Sequence, residues 1–267
     1  MNTKEFSLRL DDKVLTIKKS LLAEQANGSV LVSLGETVVL ATAVMGKQPR
    51  EGIDYFPLMV DYEERFYAAG KIMGSRFVKR ERRASDEAIL TARLIDRALR
   101  PLFNHSLRNE VQVIVTVLSV DQENDPDVLS IIAASLALCT SDIPWSGPVG
   151  AVRVGRVEGK LVLNPSYDMR IKSDMDFVVS GVRDKINMIE GDGAQIPESE
   201  VVETLAFAES YIKKIADFQT EVAQAIGARK AEVKLHAPEE TLLEEVKSFL
   251  GSRLENALFE KGSKQEK

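Results

Sequence analysis

The stretch Pro126–Thr140, PDVLSIIAASLALCT, constrains the fold more than any other part of the chain. Leu129, Ile132, Leu136 and Cys139 recur at helical spacing behind Pro126, while Val128, Ile131 and Leu138 fill the other sides. A helix that is apolar on most sides has no face to give to water, so it belongs inside a core. Strands are available to enclose it. Phe6, Leu8 and Leu10 share one strand face, followed by Leu15 with Ile17 and by Val30 with Val32, and Asn27-Gly28 and Gly35-Glu36 punctuate these runs as turns. Residues 37–44 are almost continuously apolar and β-branched, as are residues 110–119 (EVQVIVTVLS), and both read as buried strands.

A second helix opens at Ser85, an N-cap followed by Asp86 and Glu87 where the helix dipole favours acids. Its apolar positions are Leu90, Leu94 and Ala98, and Pro101 marks its end. After Pro144 and Pro148, residues 149–154, 161–163, 176–182 and 186–190 again read as strands. The period turns helical from Pro197 to Ile226 and again from Pro238 to about residue 260, an αα-hairpin around Gly227, and 261–267 form a polar tail. Strands packed with helices and followed by an all-helical segment give an α+β chain with a helical appendix.

The apolar fraction of 44% and charged fraction of 28% fit a soluble globular protein. The lone Cys139 excludes an intramolecular disulfide and fits a reducing compartment. Residues 1–9 lack the apolar core of a secretory leader and no run reaches membrane-spanning length, so the expected location is cytoplasmic.

A net charge of −6 does not suggest a nucleic-acid binder, but binding depends on where the positive charge sits. Arg76, Lys79, Arg80, Arg82 and Arg83 crowd into eight residues beside the single acid Glu81. A loop of small residues that offers these cations and Phe77 suits single-stranded nucleic acid, with cations on phosphates and a ring on a base. A solvated charged loop with Phe77 tucked inward is the plainer reading. Arg93, Arg97 and Arg100 lie along one face of the following helix and extend a possible phosphate track, although Asp96 is placed to pair within that helix.

Other chemistry is sparse. His105 and His236 are isolated from cysteines and carboxylates at metal-ligand spacing. Cys139 reads as an inert buried thiol, Trp145 as packing beneath a proline-rich turn, and Gly191-Asp192-Gly193-Ala194 as a turn.

Several segments, in order, resemble the first RNase PH-like domain of the bacterial polynucleotide phosphorylase family. They are residues 66–72 (FYAAGKI), Gly74-Ser75, residues 93–103 (RLIDRALRPLF), 117–121 (VLSVD), 143–155 (IPWSGPVGAVRVG), 176–181 (DFVVSG) and 188–191 (MIEG). The resemblance implies an RNase PH-like fold (ribosomal protein S5 domain 2-like). It divides the chain into a first subdomain over 1–145, a second over 146–205 and the start of an all-helical linker over 206–267. It also implies a trimeric ring acting as a phosphorolytic 3′-to-5′ exoribonuclease in RNA degradation, with single-stranded RNA, a second RNase PH-like copy, Mg²⁺ and inorganic phosphate as its partners. The family's RNA-gripping Phe-Phe-Arg-Arg falls on Phe77, Val78, Lys79 and Arg80. One aromatic is lost there, and Glu81-Arg82-Arg83-Ala84-Ser85 replaces a Glu-Gly-Arg-Pro-Ser continuation.

The same resemblance implies that this copy is not the catalytic one. The family's phosphate site is a serine-rich turn in its second copy; here the turn is Glu123-Asn124-Asp125-Pro126-Asp127, with three carboxylates and no hydroxyl. The family's Asp-Phe-Lys run becomes Asp176-Phe177-Val178, and an earlier Asp falls at Arg170. Asp176 is left as a weak metal candidate with Asp174 nearby. Two alternatives stay open: a self-sufficient phosphorolytic nuclease using Asp174, Asp176 and the arginine face, and a purely RNA-binding or assembly module.

Overall fold

The computed structural model describes residues 4–19, 22–72, 74 and 84–259. Two sheets and the buried helix between them form its framework. The first sheet contains β1 (Glu5–Leu10), β2 (Lys13–Lys19), β3 (Gly28–Leu34), β4 (Thr37–Pro49), β5 (Leu58–Glu63) and β6 (Asn109–Ser119), in the order β1-β2-β3-β4-β6-β5. All neighbours are antiparallel except β5 and β6. Strict alternation in β3 and β6 sends Val30, Val32, Val111, Val113, Val115 and Val117 into the core. The second sheet contains β7 (Gly150–Val157), β8 (Lys160–Leu163), β9 (Met175–Val182) and β10 (Lys185–Gly193), in the antiparallel order β10-β9-β7-β8.

Helix α1 (Asp86–Leu99) begins at Ser85, whose Oγ accepts from Ala88 N at 3.0 Å. Helix α2 (Pro126–Thr140) packs on β3 and β4 on one side and on β7 on the other. Ile131, Ala133, Ala134, Leu136, Ala137 and Leu138 are all fully buried, as its unbroken apolar surface requires. Close approach explains Gly28: a Cβ there would stand 2.1 Å from the carbonyl oxygen of Ala137 on α2.

A short helix, α3 (Tyr167–Ile171), precedes β9, and the long helix α4 (Glu198–Ile226) lies on β7 and β9. A buried polar triangle ties α2 and α4 to Val149, the residue just before β7. Val149 N donates to Ser135 Oγ at 2.9 Å, Ser135 Oγ lies 2.6 Å from Gln219 Oε1, and Gln219 Nε2 donates to Val149 O at 2.7 Å.

Two expectations need correction. Gly191, Asp192 and Gly193 continue β10 rather than forming a turn, paired with Phe177, Asp176 and Met175. Gly191 is small because a Cβ there would come within 2.5 Å of the Phe177 ring. Beyond Gly227, residues 228–231 run along the C-terminal end of α2, where Ala228 N donates to Thr140 O and Ala231 N to Asp142 O. Lys230 Nζ donates there to Leu138 O at 2.7 Å and Ser141 O at 2.8 Å, supplying partners to carbonyls that a helix end leaves bare.

Residues 234–267 make a separate unit from residues 1–233. It contains α5 (Glu240–Leu250) and α6 (Arg253–Phe259), divided at Gly251, whose φ of +45° breaks the expected single helix. The tail residues 261–267 lie outside the described residues. Among the described residues, no helix is long and apolar enough to cross a membrane.

Candidate functional site

The chemically dense region lies where the N-terminus of α2 meets β7, α3 and β9. Asp125 is the N-cap of α2, and its side chain accepts from Asp127 N. Asp127 follows in the first turn, and Asp176 stands near the start of β9. Three carboxylates this close require cations. Arg153 on β7 and Arg170 on α3 supply them.

Arg153 is the centre of the arrangement. It interrupts a strand in which Ala151, Val152 and Val154 are fully buried, and it is itself only 8% exposed. A guanidinium so placed must be paired. In the β7–β9 register Arg153 faces Val178, which puts Asp176 on the diagonal of the same face, within reach of a long side chain. Arg153 Nη1 donates to Asp176 Oδ1 and Oδ2 at 2.6 and 2.7 Å, and Nη2 donates to Asp127 and lies 3.5 Å from Asp125 Oδ2. Arg170 completes the cluster, with Nη1 2.5 Å from Asp125 Oδ2 and Nη2 2.9 Å from Asp176 Oδ2. Its guanidinium also lies 5.5 Å from the centre of the Tyr167 ring.

Charge balance follows from this packing. Burial, then the neighbouring Asp125 carboxylate, push the Asp127 carboxyl well above its ordinary range against the opposing pull of Arg153. Burial and then Asp125 and Asp127 push the Tyr167 phenol up to about 12. Burial, with Glu64 and the two aspartates behind it, raises the Tyr62 phenol further. Both phenols therefore stay neutral hydrogen-bonding groups at neutral pH.

The residues do not fit a Mg²⁺ or phosphate site. Both Asp176 oxygens already accept from guanidinium groups, and Asp125 and Asp127 are engaged by the same two arginines. A phosphate would meet three carboxylates. Among the described residues there is no group of three or more metal-ligating side chains able to hold an ion. Asp174 belongs to a different pair: Arg156 holds it at 2.6 Å and also reaches Glu200.

Of the residues expected to contact RNA, Arg76, Phe77, Lys79, Arg80, Arg82 and Arg83 lie outside the described residues. The helical row of arginines is not a uniform track. Arg97 pairs with Glu190 and donates to Ile189 O, while Arg100 makes a two-point contact with Asp96 at 2.6 and 2.8 Å and reaches Leu58 O. Arg93 is exposed and makes no ion pair among the described residues. Their neighbours explain the difference: Asp96 sits one turn before Arg100, and β10 brings Glu190 to Arg97.

Remaining candidates are structural. Burial raises the Cys139 thiol to about 11. His105 stacks on Phe56, and its Nε2 lies 3.2 Å from Arg100 O. The Trp145 ring covers Gly147, and its Nε1 donates to Leu99 O.

Two further residues matter here, and only Arg153 carries a signal of its burial in the sequence. Arg153 is the one charge inside the apolar run 149–154, which calls for a buried carboxylate. Asp121 organises the turn before α2, accepting from Glu36 N, Thr37 Oγ1, Glu123 N, Asn124 N and Asn124 Nδ2 at 2.7–3.0 Å. Burial opposes its charge, but the hydrogen bonds from Asn124 and the backbone outweigh it and hold the carboxyl well below the usual range.

Known proteins agree with this architecture. Residues 12–144 match the model of the 3′ exoribonuclease family, domain 1, and residues 147–211 match domain 2 of that family. The chain is 49% identical over 253 residues to a polyribonucleotide nucleotidyltransferase of Heliobacterium modesticaldum, covering 95% of this chain and 36% of that protein. It is 52% identical over 255 residues to one from Thermomicrobium roseum, covering 96% of this chain and 32% of the relative. The chain thus spans about a third of the length of these relatives. The crystal structure of rice Rrp46 superposes with a TM-score of 0.62 at 16% identity, covering 84% of this chain and 95% of that one, and shares the fold. With both domain models matched in order on a two-sheet framework, the chain belongs to the 3′ exoribonuclease family.

Proposed function

We propose that this chain is the amino-terminal, non-catalytic RNase PH-like portion of a phosphorolytic 3′-to-5′ exoribonuclease, a polyribonucleotide nucleotidyltransferase. Its work is ring assembly and RNA guidance. One observation carries the reading: Arg153 and Arg170 neutralise Asp125, Asp127 and Asp176, so the cleft offers neither free carboxylates for Mg²⁺ nor donors for phosphate. In this reading Mg²⁺ and inorganic phosphate act elsewhere in the complete enzyme, on a second RNase PH-like domain or chain, and the assembly is a homo-trimer in the cytoplasm. RNA is held by the cations of Arg76, Lys79, Arg80, Arg82 and Arg83 and by the Phe77 ring, with Arg93 the helical arginine best placed to add to them.

The purified chain, incubated with short single-stranded RNA, Mg²⁺ and phosphate, is expected to release no nucleoside diphosphate. Release of diphosphates would instead support a self-sufficient nuclease. RNA affinity should fall steeply with salt and weaken when Lys79 and Arg80 are both changed to alanine. Wild-type affinity in that double variant would remove the loop from the RNA path.

A further inference from the structure

Arg153 has five N–H donors, and those on Nη1 and Nη2 face Asp176, Asp127 and Asp125. The fifth, on Nε, is buried and has no hydrogen-bond partner among the described residues. Asn124 Oδ1 is in the same condition. Its amide cannot simply be turned round. Asn124 Nδ2 donates to Asp121 Oδ2 at 2.7 Å, and a flip would set oxygen against that carboxylate. A buried donor and a buried acceptor are thus each fixed in sense.

Both residues line the same cavity, together with Leu10, Leu15 and Leu34 of the first sheet, Val128, Leu129 and Ile132 of α2, and Asp125, Asn164 and Pro165. The space amounts to about 20 Å³, while one water needs roughly 10–15 Å³ and two to four polar partners. The occupant must accept from a guanidinium and donate to an amide oxygen. A chloride cannot donate and would face Asp125; a metal cation would face Arg153. An apolar guest would leave both polar atoms unmet, at a cost typical of buried unsatisfied groups.

We infer that this cavity is a binding site for one ordered water molecule that bridges Arg153 Nε–H to Asn124 Oδ1 at the junction of the two sheets. The water accepts from Arg153 and donates one proton to Asn124. It completes the coordination of the guanidinium that neutralises the cleft, and so acts on the orientation of Arg153. The inference stands on cavity and hydrogen-bond geometry, and it survives even if the chain proves not to bind RNA.

A crystal structure of the chain at high resolution tests it directly. The expected result is a single water peak within about 2.7–3.2 Å of both atoms. In solution, the Arg153 Nε–H resonance should show a cross-relaxation peak to a long-lived water, and Asn124→Leu should abolish it. A dry cavity, a water touching only one of the two atoms, or an Arg153 Nε–H turned to a protein acceptor would each overturn the inference. A resonance exchanging freely with bulk solvent would do the same.

Discussion

Replacing Arg153 with methionine isolates the electrostatic work of the cleft. The stem volume is roughly kept, while the guanidinium that engages Asp176, Asp127 and Asp125 is lost. Removing one partner of a buried ion pair typically costs about 3–5 kcal/mol, because the remaining charge stays desolvated. The lower end applies here. Asp176 and Asp125 keep Arg170, and their side chains are 29% and 20% exposed, so solvent screens part of the loss. We expect a destabilisation of about 3 kcal/mol at pH 7, or roughly 6–12 °C in Tm for a domain of this size. Asp127 is already raised in the wild-type chain and rises further once Arg153 is gone, so both proteins gain stability as the pH falls from 7 and the deficit at pH 5 is no larger than at pH 7. Urea unfolding of both proteins at pH 7 and pH 5 measures this. A loss under about 1 kcal/mol at pH 7, or a clearly larger one at pH 5, would refute the account of the cleft as a charge-neutralised cluster.

In the wild-type chain the raised Asp127 carboxyl contributes stability that is full below about pH 4 and fades as pH rises through its folded value; Asp127→Asn should flatten that part of the pH–stability curve. Asp121, held low, behaves in the opposite sense. Asp121→Asn should cost about 1.5–3 kcal/mol at pH 7, and the deficit should vanish as pH falls through the depressed wild-type value, as read by denaturant titration. Ser135→Ala leaves Val149 N–H and Gln219 Oε1 without their hydroxyl, which should lower stability by about 1–3 kcal/mol in urea melts without altering the sheets seen by circular dichroism. Gly28→Ala drives a Cβ against the α2 backbone and should cost at least about 1–3 kcal/mol, since a carbonyl cannot rotate away as a side chain can.

The core was readable because its signals are local. Alternation in residues 28–34 and 109–119 and the apolar helix 126–140 each dictate burial without reference to distant chain. The Ser85 cap was readable for the same reason, since its partner Ala88 is three residues away. Long-range geometry was not. Gly191 looked like a turn because glycine usually marks one, yet it is small to admit the Phe177 ring across the β9–β10 ladder. The path of residues 228–231 was hidden too, because the carbonyls at the end of α2 that hold them lie far back in sequence. In the cleft, the acidic turn 123–127 could be read from residue types, whereas the reversed charge at Arg170 came only with the family resemblance. The role of Arg153 could not be read, because only the strand register sets it diagonal to Asp176.

That register also bears on why the cleft is filled rather than left open. Asp125 and Asp127 lie in the segment matching the first family domain, whereas Arg153, Arg170 and Asp176 lie in the segment matching the second. Each ion pair from an arginine to Asp125 or Asp127 therefore crosses the junction between the two domains, and deleting either side would leave unpaired charge on the other. An uncharged replacement would need several coordinated substitutions to avoid that state, while the paired arrangement is stable against solvent and closed to phosphate at once. A cleft so constituted serves as a seam between domains. The seam itself is no track for a polyanion, since it presents carboxylates already spent on arginines.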